Sequence, residues 1–143
     1  VGFGFDHRLS GRRNCETRSI LNKVPRKKRN EFVRWVDSFA ELGDYFELPL
    51  STYSSGMLTR LAFSLSVFEP PDILLIDEGI GTADFQFRER AFSRLDEVCE
   101  QSSIVVFVSH DKEILRQRCT RGVLLEDGRV KAEGELNNVL SNY

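Results

Sequence analysis

Cysteine is scarce in this sequence, and its spacing excludes two common kinds of stabilisation. The 143 residues include three cysteines, Cys15, Cys99 and Cys119, which is an odd number and contains no C-x-x-C pair. Neither a disulfide framework nor a cysteine-rich zinc site is therefore indicated. A reducing cytosol is the compartment that this cysteine usage favours.

Long apolar runs and an excess of either charge are also missing. No stretch approaches the roughly 20 apolar residues that cross a bilayer, and no charged-then-apolar signal segment opens the chain. Any membrane association that the sequence predicts is therefore peripheral. The 20 basic and 22 acidic residues give a formal net charge of −2, which argues against a dominant nucleic-acid or anionic-membrane surface.

One dense cationic run stands out against this balance. Residues 26–29 read Arg-Lys-Lys-Arg. We interpret the run as the solvated start of a helix, and binding of lipid or nucleic acid is the alternative.

The apolar pattern predicts alternating helices and strands. Helical spacing predicts amphipathic helices over residues 30–42, 55–68 and 84–100, the first ending at Gly43 and the second at Pro70. Consecutive aliphatic residues predict strands over 72–77 and 104–108 that are covered on both faces, as in a parallel sheet. The alternation favours β-α-β units in one incomplete α/β domain.

The sequence pattern in the last third of the chain predicts shorter helices and strands. Asp111 is placed to cap a short helix that runs through Arg118. Residues 123–125 and 129–131 flank a Glu-Asp-Gly turn and predict a hairpin, and a final amphipathic helix ends near Tyr143.

Two carboxylates follow the first predicted strand. Asp77 and Glu78 would lie at the carboxyl edge of a sheet, where open α/β folds bind ligands. Asp77 would hold Mg²⁺ through water, and Glu78 would orient and polarise an attacking water. The alternative is a strand end that carries solvated acids.

A polar turn opens the second predicted helix. Ser54, Ser55 and Gly56 would bring backbone N–H groups, hydroxyls and the positive end of a helix to one point, which suits a γ-phosphate. Gly56 would let the backbone approach the anion. An ordinary serine N-cap on a core helix is the alternative.

Two further residues are candidates. His110 follows the second strand and would emerge at the same sheet edge as Glu78, within range of a phosphate oxygen or the nucleophilic water. Asp84 opens the next helix, as an N-cap, as a contact to an opposite subunit, or as both. His7 has no partner motif, and we assign it no role.

The order of these segments indicates ATP hydrolysis across a dimer interface. An anion cradle, a magnesium ligand, a base and a sensor follow one another along the chain. The G-x-x-x-x-G-K-[ST] loop that would hold the phosphates in cis does not occur in the sequence. Because the chain begins at Val1 with residues that read as the middle of a domain, we expect it to be part of a longer enzyme.

Together these segments resemble the nucleotide-binding domain of ATP-binding cassette (ABC) transporters. Residues 53–57, with Arg60, are similar to the L-S-G-G-Q signature, residues 73–78 to the Walker B strand, residues 81–84 to the D-loop, and His110 to the switch histidine. Met57 stands where the signature has glutamine. The resemblance implies a layered P-loop NTPase-like α/β fold, with a helical subdomain and signature helix over about residues 1–70 and the remaining motifs over about 71–143.

Within that family, the Tyr-Ser-Ser-Gly-Met form and the context of residues 4–14 and 39–44 are similar to ATPases of polysaccharide, O-antigen and teichoic acid export. This similarity implies ATP and Mg²⁺ as cofactors and a homodimer docked on a transmembrane permease at the cytoplasmic side of the membrane. Nucleic acid is not an expected partner. A shortened, non-hydrolysing module that pairs with a full-length partner is the alternative, and a non-transport ABC ATPase of DNA repair or translation is a third reading.

Overall fold

The computed structural model describes residues 4–77 and 85–143, with side chains from residue 87 onward in the second range. The chain forms two compact units. The first consists of Val1–Asp72 and Ile80–Ser103, and the second of Ile73–Gly79 and Ile104–Tyr143. Glu78 and Asp84, both predicted site residues, lie outside the described residues.

The first unit is helical. Its helices are α1 (Gly11–Leu21), α2 (Arg29–Ala40), α3 (Ser55–Ser66) and α4 (Phe85–Gln101). Short 3₁₀ turns at Arg26–Lys28, Gly43–Glu47 and Leu50–Thr52 join the first three helices. The helices predicted over 30–42, 55–68 and 84–100 are therefore confirmed, with ends shifted by one or two residues.

The apolar faces of these helices form the core of the first unit. Its buried members come from α1, α2, α3 and the turns between them: Cys15, Val24, Phe32, Val33, Val36, Ala40, Leu42, Phe46, Leu50, Tyr53, Leu61 and Leu65. Arg94 of α4 donates hydrogen bonds to the carbonyls of Val67 (2.9 Å) and Phe68 (2.7 Å), which lie just beyond α3. These two bonds satisfy carbonyls at the end of α3 that have no helical donor.

The end of α2 differs from the prediction. The helix ends at Ala40, and Glu41 takes the left-handed conformation (φ 48°, ψ 52°) that Gly43 was expected to supply. Gly43 is also left-handed (φ 55°), but it begins the following 3₁₀ turn. The stop predicted at Gly43 is thus wrong, because a non-glycine residue accepts the strained conformation there.

The sequence pattern did not predict α1. Its buried residues are Gly11, Asn14, Cys15 and Ser19, so this helix has no large apolar stripe. Asn14 instead ties the preceding loop to the helix. Its side-chain amide donates to the carbonyls of Asp6 (3.0 Å) and Ser10 (2.9 Å), and its oxygen accepts from the Asp6 N–H (3.0 Å).

The second unit contains a parallel strand pair. Strands β1 (Ile73–Asp77) and β2 (Ile104–Val108) pair in register, with Ile73 beside Ile104 and Asp77 beside Val108. The two predicted strands are confirmed, but the prediction that both faces are covered is wrong for this chain. Leu75 is 73% exposed, and Ile73, Ile104, Val106 and Val108 are also exposed.

A hairpin and two short helices complete the second unit. Strands β3 (Arg121–Glu126) and β4 (Arg129–Glu135) are antiparallel and turn through Asp127 and Gly128, both with positive φ. Helices α5 (Lys112–Arg118) and α6 (Leu136–Leu140) match the predicted short helix and the final helix. Leu136 and Val139 of α6 pack against Gly122, where an added Cβ would lie 3.1 Å from Leu136 Cδ1. None of the described helices is long and apolar enough to span a bilayer.

Candidate functional site

The serine turn at the start of α3 has the geometry of a capped helix. Ser54 is extended (φ −69°, ψ 164°), and its Oγ accepts a 3.2 Å hydrogen bond from the Met57 N–H. The first intrahelical bond runs from the Leu58 N–H to the Ser54 carbonyl (3.0 Å). The N–H groups of Ser55 and Gly56 precede this ladder and have no acceptor within the helix. Two backbone donors therefore share the positive end of α3, the arrangement expected for an anion cradle.

Packing within the chain does not require glycine at position 56. A Cβ added there would meet only Ser54 Oγ, at 3.8 Å, which is an ordinary van der Waals contact. The backbone of Gly56 is also not left-handed, unlike that of Gly43 or Gly128. An alanine would fit, so a need for glycine at this position would come from something that approaches the turn from outside.

Tyr53, for which the sequence indicated no separate role, anchors this turn to the rest of the first unit. Its side chain is buried, and its hydroxyl donates a 2.7 Å hydrogen bond to the Tyr45 carbonyl. Burial raises the pKa of the Tyr53 phenol to about 12. The hydroxyl also lies 2.4 Å from the position that a Cβ on Gly11 would occupy. The sequence did not predict this anchor, and the only signal that could have suggested it is a large aromatic residue directly before a polar turn.

Arg12 supports the same region from α1. Its Nε donates a 2.6 Å hydrogen bond to the Glu47 carboxylate, and its guanidinium lies over the Phe46 ring at 5.2 Å from the ring centroid. Phe46 is buried and belongs to the 3₁₀ turn that contains Tyr45. The carbonyl that accepts from Tyr53 is therefore on a segment fixed by both an ion pair and core packing.

In the second unit, the carboxyl ends of β1 and β2 form a common edge. Asp77 is the last residue of β1, is exposed, and pairs with Val108, the last residue of β2. His110 follows two residues after Val108 and is also exposed. The parallel register thus places Asp77 and His110 at the same end of neighbouring strands, as predicted from the sequence.

The backbone around His110 is held on its C-terminal side. The Asp111 carboxylate accepts from the N–H groups of Glu113 (2.9 Å) and Ile114 (3.3 Å), which confirms Asp111 as the N-cap of α5. The Asp111 N–H donates to Ser109 Oγ at 3.0 Å. His110 therefore sits between a strand end and a capped helix.

A magnesium ion at Asp77 would have one carboxylate ligand among the described residues. No group of three His, Cys, Asp or Glu side chains in the described ranges could form a protein cage for a metal. Mg²⁺ in phosphate-processing sites is commonly held by one or two carboxylates, with water and phosphate oxygens completing its shell. An exposed aspartate at a sheet edge fits that requirement.

Three relatives show what the chain is similar to. It is 32% identical over all of its 143 residues to the teichoic acids export ATP-binding protein TagH of a Bacillus cereus strain, of which it spans 26%. It is 34% identical over its whole length to the ABC transporter protein AbcA of Aeromonas salmonicida and spans 46% of it. It is also 34% identical to TagH of Staphylococcus saprophyticus and spans 54% of that protein. The chain thus covers about half or less of the length of these relatives.

The fold has a solved counterpart. The structure of the ATP-binding cassette MJ0796 bound to ADP and Pi, a dimer in a post-hydrolysis state, matches 94% of this chain and 60% of its own with a TM-score of 0.68 and 25% sequence identity. No family model matches the chain.

The fold of the chain therefore matches that of an ATP-binding cassette nucleotide-binding domain over 94% of its residues. The P-loop NTPase-like fold predicted from the motifs is confirmed by the solved counterpart. Over its whole length the chain is similar to proteins named as teichoic acids export ATP-binding proteins.

Proposed function

We propose that this chain is part of the ATP-hydrolysing subunit of an ABC transporter that exports a cell-surface polysaccharide or a lipid-linked glycan. The observation that carries the proposal is the capped turn at Ser54. This turn begins a helix whose first N–H groups have no acceptor within the helix, and it contains a glycine that internal packing does not require. Similarity over the whole of this chain to ATP-binding proteins named for teichoic acid export supports a glycan as the exported substrate.

The proposed roles divide between the two units. In the first unit, Ser54, Ser55 and Gly56 bind the γ-phosphate of a nucleotide held by the opposite subunit. In the second unit, Asp77 would hold Mg²⁺, which would supply charge neutralisation to the phosphates. His110 contacts the γ-phosphate and reports its presence.

Two roles fall on residues outside the described ranges. Glu78 directly follows Asp77 in the sequence and orients the attacking water as general base. Asp84 contributes a D-loop contact to the opposite subunit. The proposed assembly is a homodimer, or a pair with a full-length nucleotide-binding subunit, docked on a permease at the cytoplasmic face of the membrane, with no nucleic acid bound.

The experiment that tests the activity supplies the missing phosphate loop. In a chimera, the corresponding segment of Staphylococcus saprophyticus TagH is replaced by this chain, and phosphate release from ATP is measured. We expect Mg²⁺-dependent hydrolysis that falls by at least about a hundredfold in Glu78→Gln, with ATP binding retained. Glu89→Gln, a glutamate on α4, is the matched control. Near-normal hydrolysis in Glu78→Gln would reject that residue as the base.

A second candidate function requires no phosphate-binding loop from this chain. In it, the chain is a non-hydrolysing module that contributes only signature, D-loop and switch surfaces to a full-length partner. The isolated chain would then bind that partner in the presence of ATP and release no phosphate by itself. An isolated chain that hydrolyses ATP would exclude this candidate.

A further inference from the structure

The C-terminal end of α1 exposes two adjacent large apolar side chains. Ile20 is 57% exposed and Leu21 is 67% exposed. We refer to residues 20–29 as the basic loop. Exposed single aliphatic residues are common on protein surfaces, so the pair gains significance only from its surroundings.

These surroundings are cationic. Lys23, Arg26, Lys27 and Lys28 of the basic loop are exposed, and no acidic residue occurs between Glu16 and Glu31. Lys28 contacts Glu69 at 3.2 Å. In the part of the chain that the structure describes, Lys23, Arg26 and Lys27 form no ion pair. The local positive charge contrasts with the formal net charge of −2 for the whole chain.

The conformation of the basic loop is held from inside the first unit. Val24 is 4% exposed, and its N–H donates to the Ser19 carbonyl at 2.9 Å. The Val24 carbonyl accepts a 3.0 Å hydrogen bond from Arg29 Nε. One buried valine therefore anchors the loop, and the exposed apolar pair is not needed for its packing.

We propose that the basic loop is a docking surface for an anionic lipid membrane. Ile20 and Leu21 enter the boundary between headgroups and acyl chains, and Lys23, Arg26 and Lys27 contact lipid phosphates. Membrane-surface segments combine these two features, since burial of apolar side chains and attraction to anionic lipid act together. Nucleic-acid phosphates would attract the cations but would gain little from the aliphatic pair. This lipid contact goes beyond the proposed function, which requires no contact of this chain with lipid.

The test uses flotation of the 143-residue chain with vesicles in the absence of nucleotide, so its outcome does not depend on the proposed ATPase. Vesicles of phosphatidylcholine with phosphatidylglycerol are compared with vesicles of phosphatidylcholine alone. We expect binding only to the anionic vesicles and weaker binding as salt is raised. The triple variant Lys23→Gln, Arg26→Gln, Lys27→Gln should lower the partition coefficient by about a hundredfold, since each cation contributes roughly a factor of five.

The double variant Ile20→Ser, Leu21→Ser tests whether the apolar side chains of this loop, and not exposed apolar side chains elsewhere in the chain, cause the binding. It should lower binding at least about tenfold, whereas the control Val123→Ser, Leu125→Ser, which removes two exposed apolar side chains from the hairpin, should leave binding unchanged. Equal binding to neutral vesicles, absence of binding to both kinds, or retained binding in the Ile20 and Leu21 variant would overturn the proposal. Tighter binding to a DNA oligonucleotide than to anionic vesicles would also overturn it.

Discussion

The hydroxyl of Tyr53 donates a 2.7 Å hydrogen bond to the main-chain carbonyl of Tyr45. This bond joins the residue directly before the serine turn to the 3₁₀ segment Gly43–Glu47, which Arg12 and Phe46 hold in place. The position of the proposed phosphate-binding turn therefore depends on a contact to a carbonyl eight residues before Tyr53. Changes at either end of this contact should affect the turn without touching a nucleotide.

Tyr53→Phe should destabilise the first unit by about 1 kcal/mol, because it removes one hydrogen bond and leaves the Tyr45 carbonyl without its donor. Urea unfolding followed by the fluorescence of Trp35, the single tryptophan of the chain and a residue of this unit, measures the change. The control is Tyr143→Phe at the exposed C-terminal residue, which should leave the urea midpoint unchanged. An equal effect of the two substitutions would show that the Tyr53 hydroxyl contributes no stability.

The raised pKa of the Tyr53 phenol predicts how the stability of the chain changes with pH. Burial raises the pKa of Tyr53 to about 12, whereas an unfolded tyrosine has a pKa near 10. Below pH 10 both states hold the proton and the stabilisation is complete. Between about pH 10 and 12 the unfolded state loses its proton first, so stability falls as pH rises. Burial also raises the pKa of the Cys15 thiol, and this adds to the loss of stability at alkaline pH.

Thermal unfolding from about pH 8 to 12 checks this prediction. The melting temperature of the Tyr53→Phe variant should fall less steeply above about pH 10 than that of the unchanged chain. Parallel curves for the two proteins would contradict the assignment of the titration to Tyr53.

Two glycines near the turn should respond in opposite ways to alanine. At Gly11 the new Cβ would lie 2.4 Å from Tyr53 Oη and 3.1 Å from the Phe46 carbonyl oxygen, so we expect a loss of about 1–3 kcal/mol. At Gly56 the nearest atom is 3.8 Å away, so Gly56→Ala should leave the free energy of unfolding unchanged or raise it by up to about 1 kcal/mol. Urea unfolding of both variants measures the contrast, and a clear destabilisation by Gly56→Ala would refute the claim that packing permits alanine there.

Substitutions of Ser54 and Ser55 distinguish the capping of α3 from the proposed binding of nucleotide. Ser54→Ala removes the acceptor of the Met57 N–H and should cost about 1 kcal/mol of stability. Ser55 is the first helical residue, and its hydroxyl makes no hydrogen bond within the described residues, so Ser55→Ala should be nearly neutral for folding. In the chimera, Ser55→Ala should still raise the ATP concentration needed for half-maximal dimerisation. If Ser55→Ala destabilises folding as much as Ser54→Ala, the division of roles is wrong.

The sequence predicted those parts of the fold that depend on local pattern. The apolar spacing that buries Leu61 and Leu65 predicted α3, and the aliphatic runs predicted β1 and β2. It did not predict α1, because that helix buries Gly11, Asn14, Cys15 and Ser19 rather than an apolar stripe.

The local sequence pattern also could not predict that the strands are exposed or that the Tyr53 hydroxyl anchors the turn. A run of aliphatic residues predicts coverage on both faces but not which segments supply it, and Leu75 remains 73% exposed. The Tyr53 hydroxyl bonds to a main-chain carbonyl, so no side-chain pairing in the sequence indicated its partner. The structure places Asp77 and His110 at one sheet edge as predicted, and Glu78, which was predicted at the same edge, lies outside the described residues.

The central claim is that Ser54, Ser55 and Gly56 bind a nucleotide held by another subunit, and association between this chain and the chimera tests it most directly. The labelled chain is mixed with the chimera, which carries the phosphate loop, and sedimentation velocity is measured with saturating ATP, with ADP and without nucleotide. We predict association with ATP alone, loss of association when the chain carries Gly56→Asp, and no change with Asn30→Asp, which adds the same charge at an exposed residue in the first turn of α2. No association at saturating ATP, or equal association with Gly56→Asp, would contradict the claim.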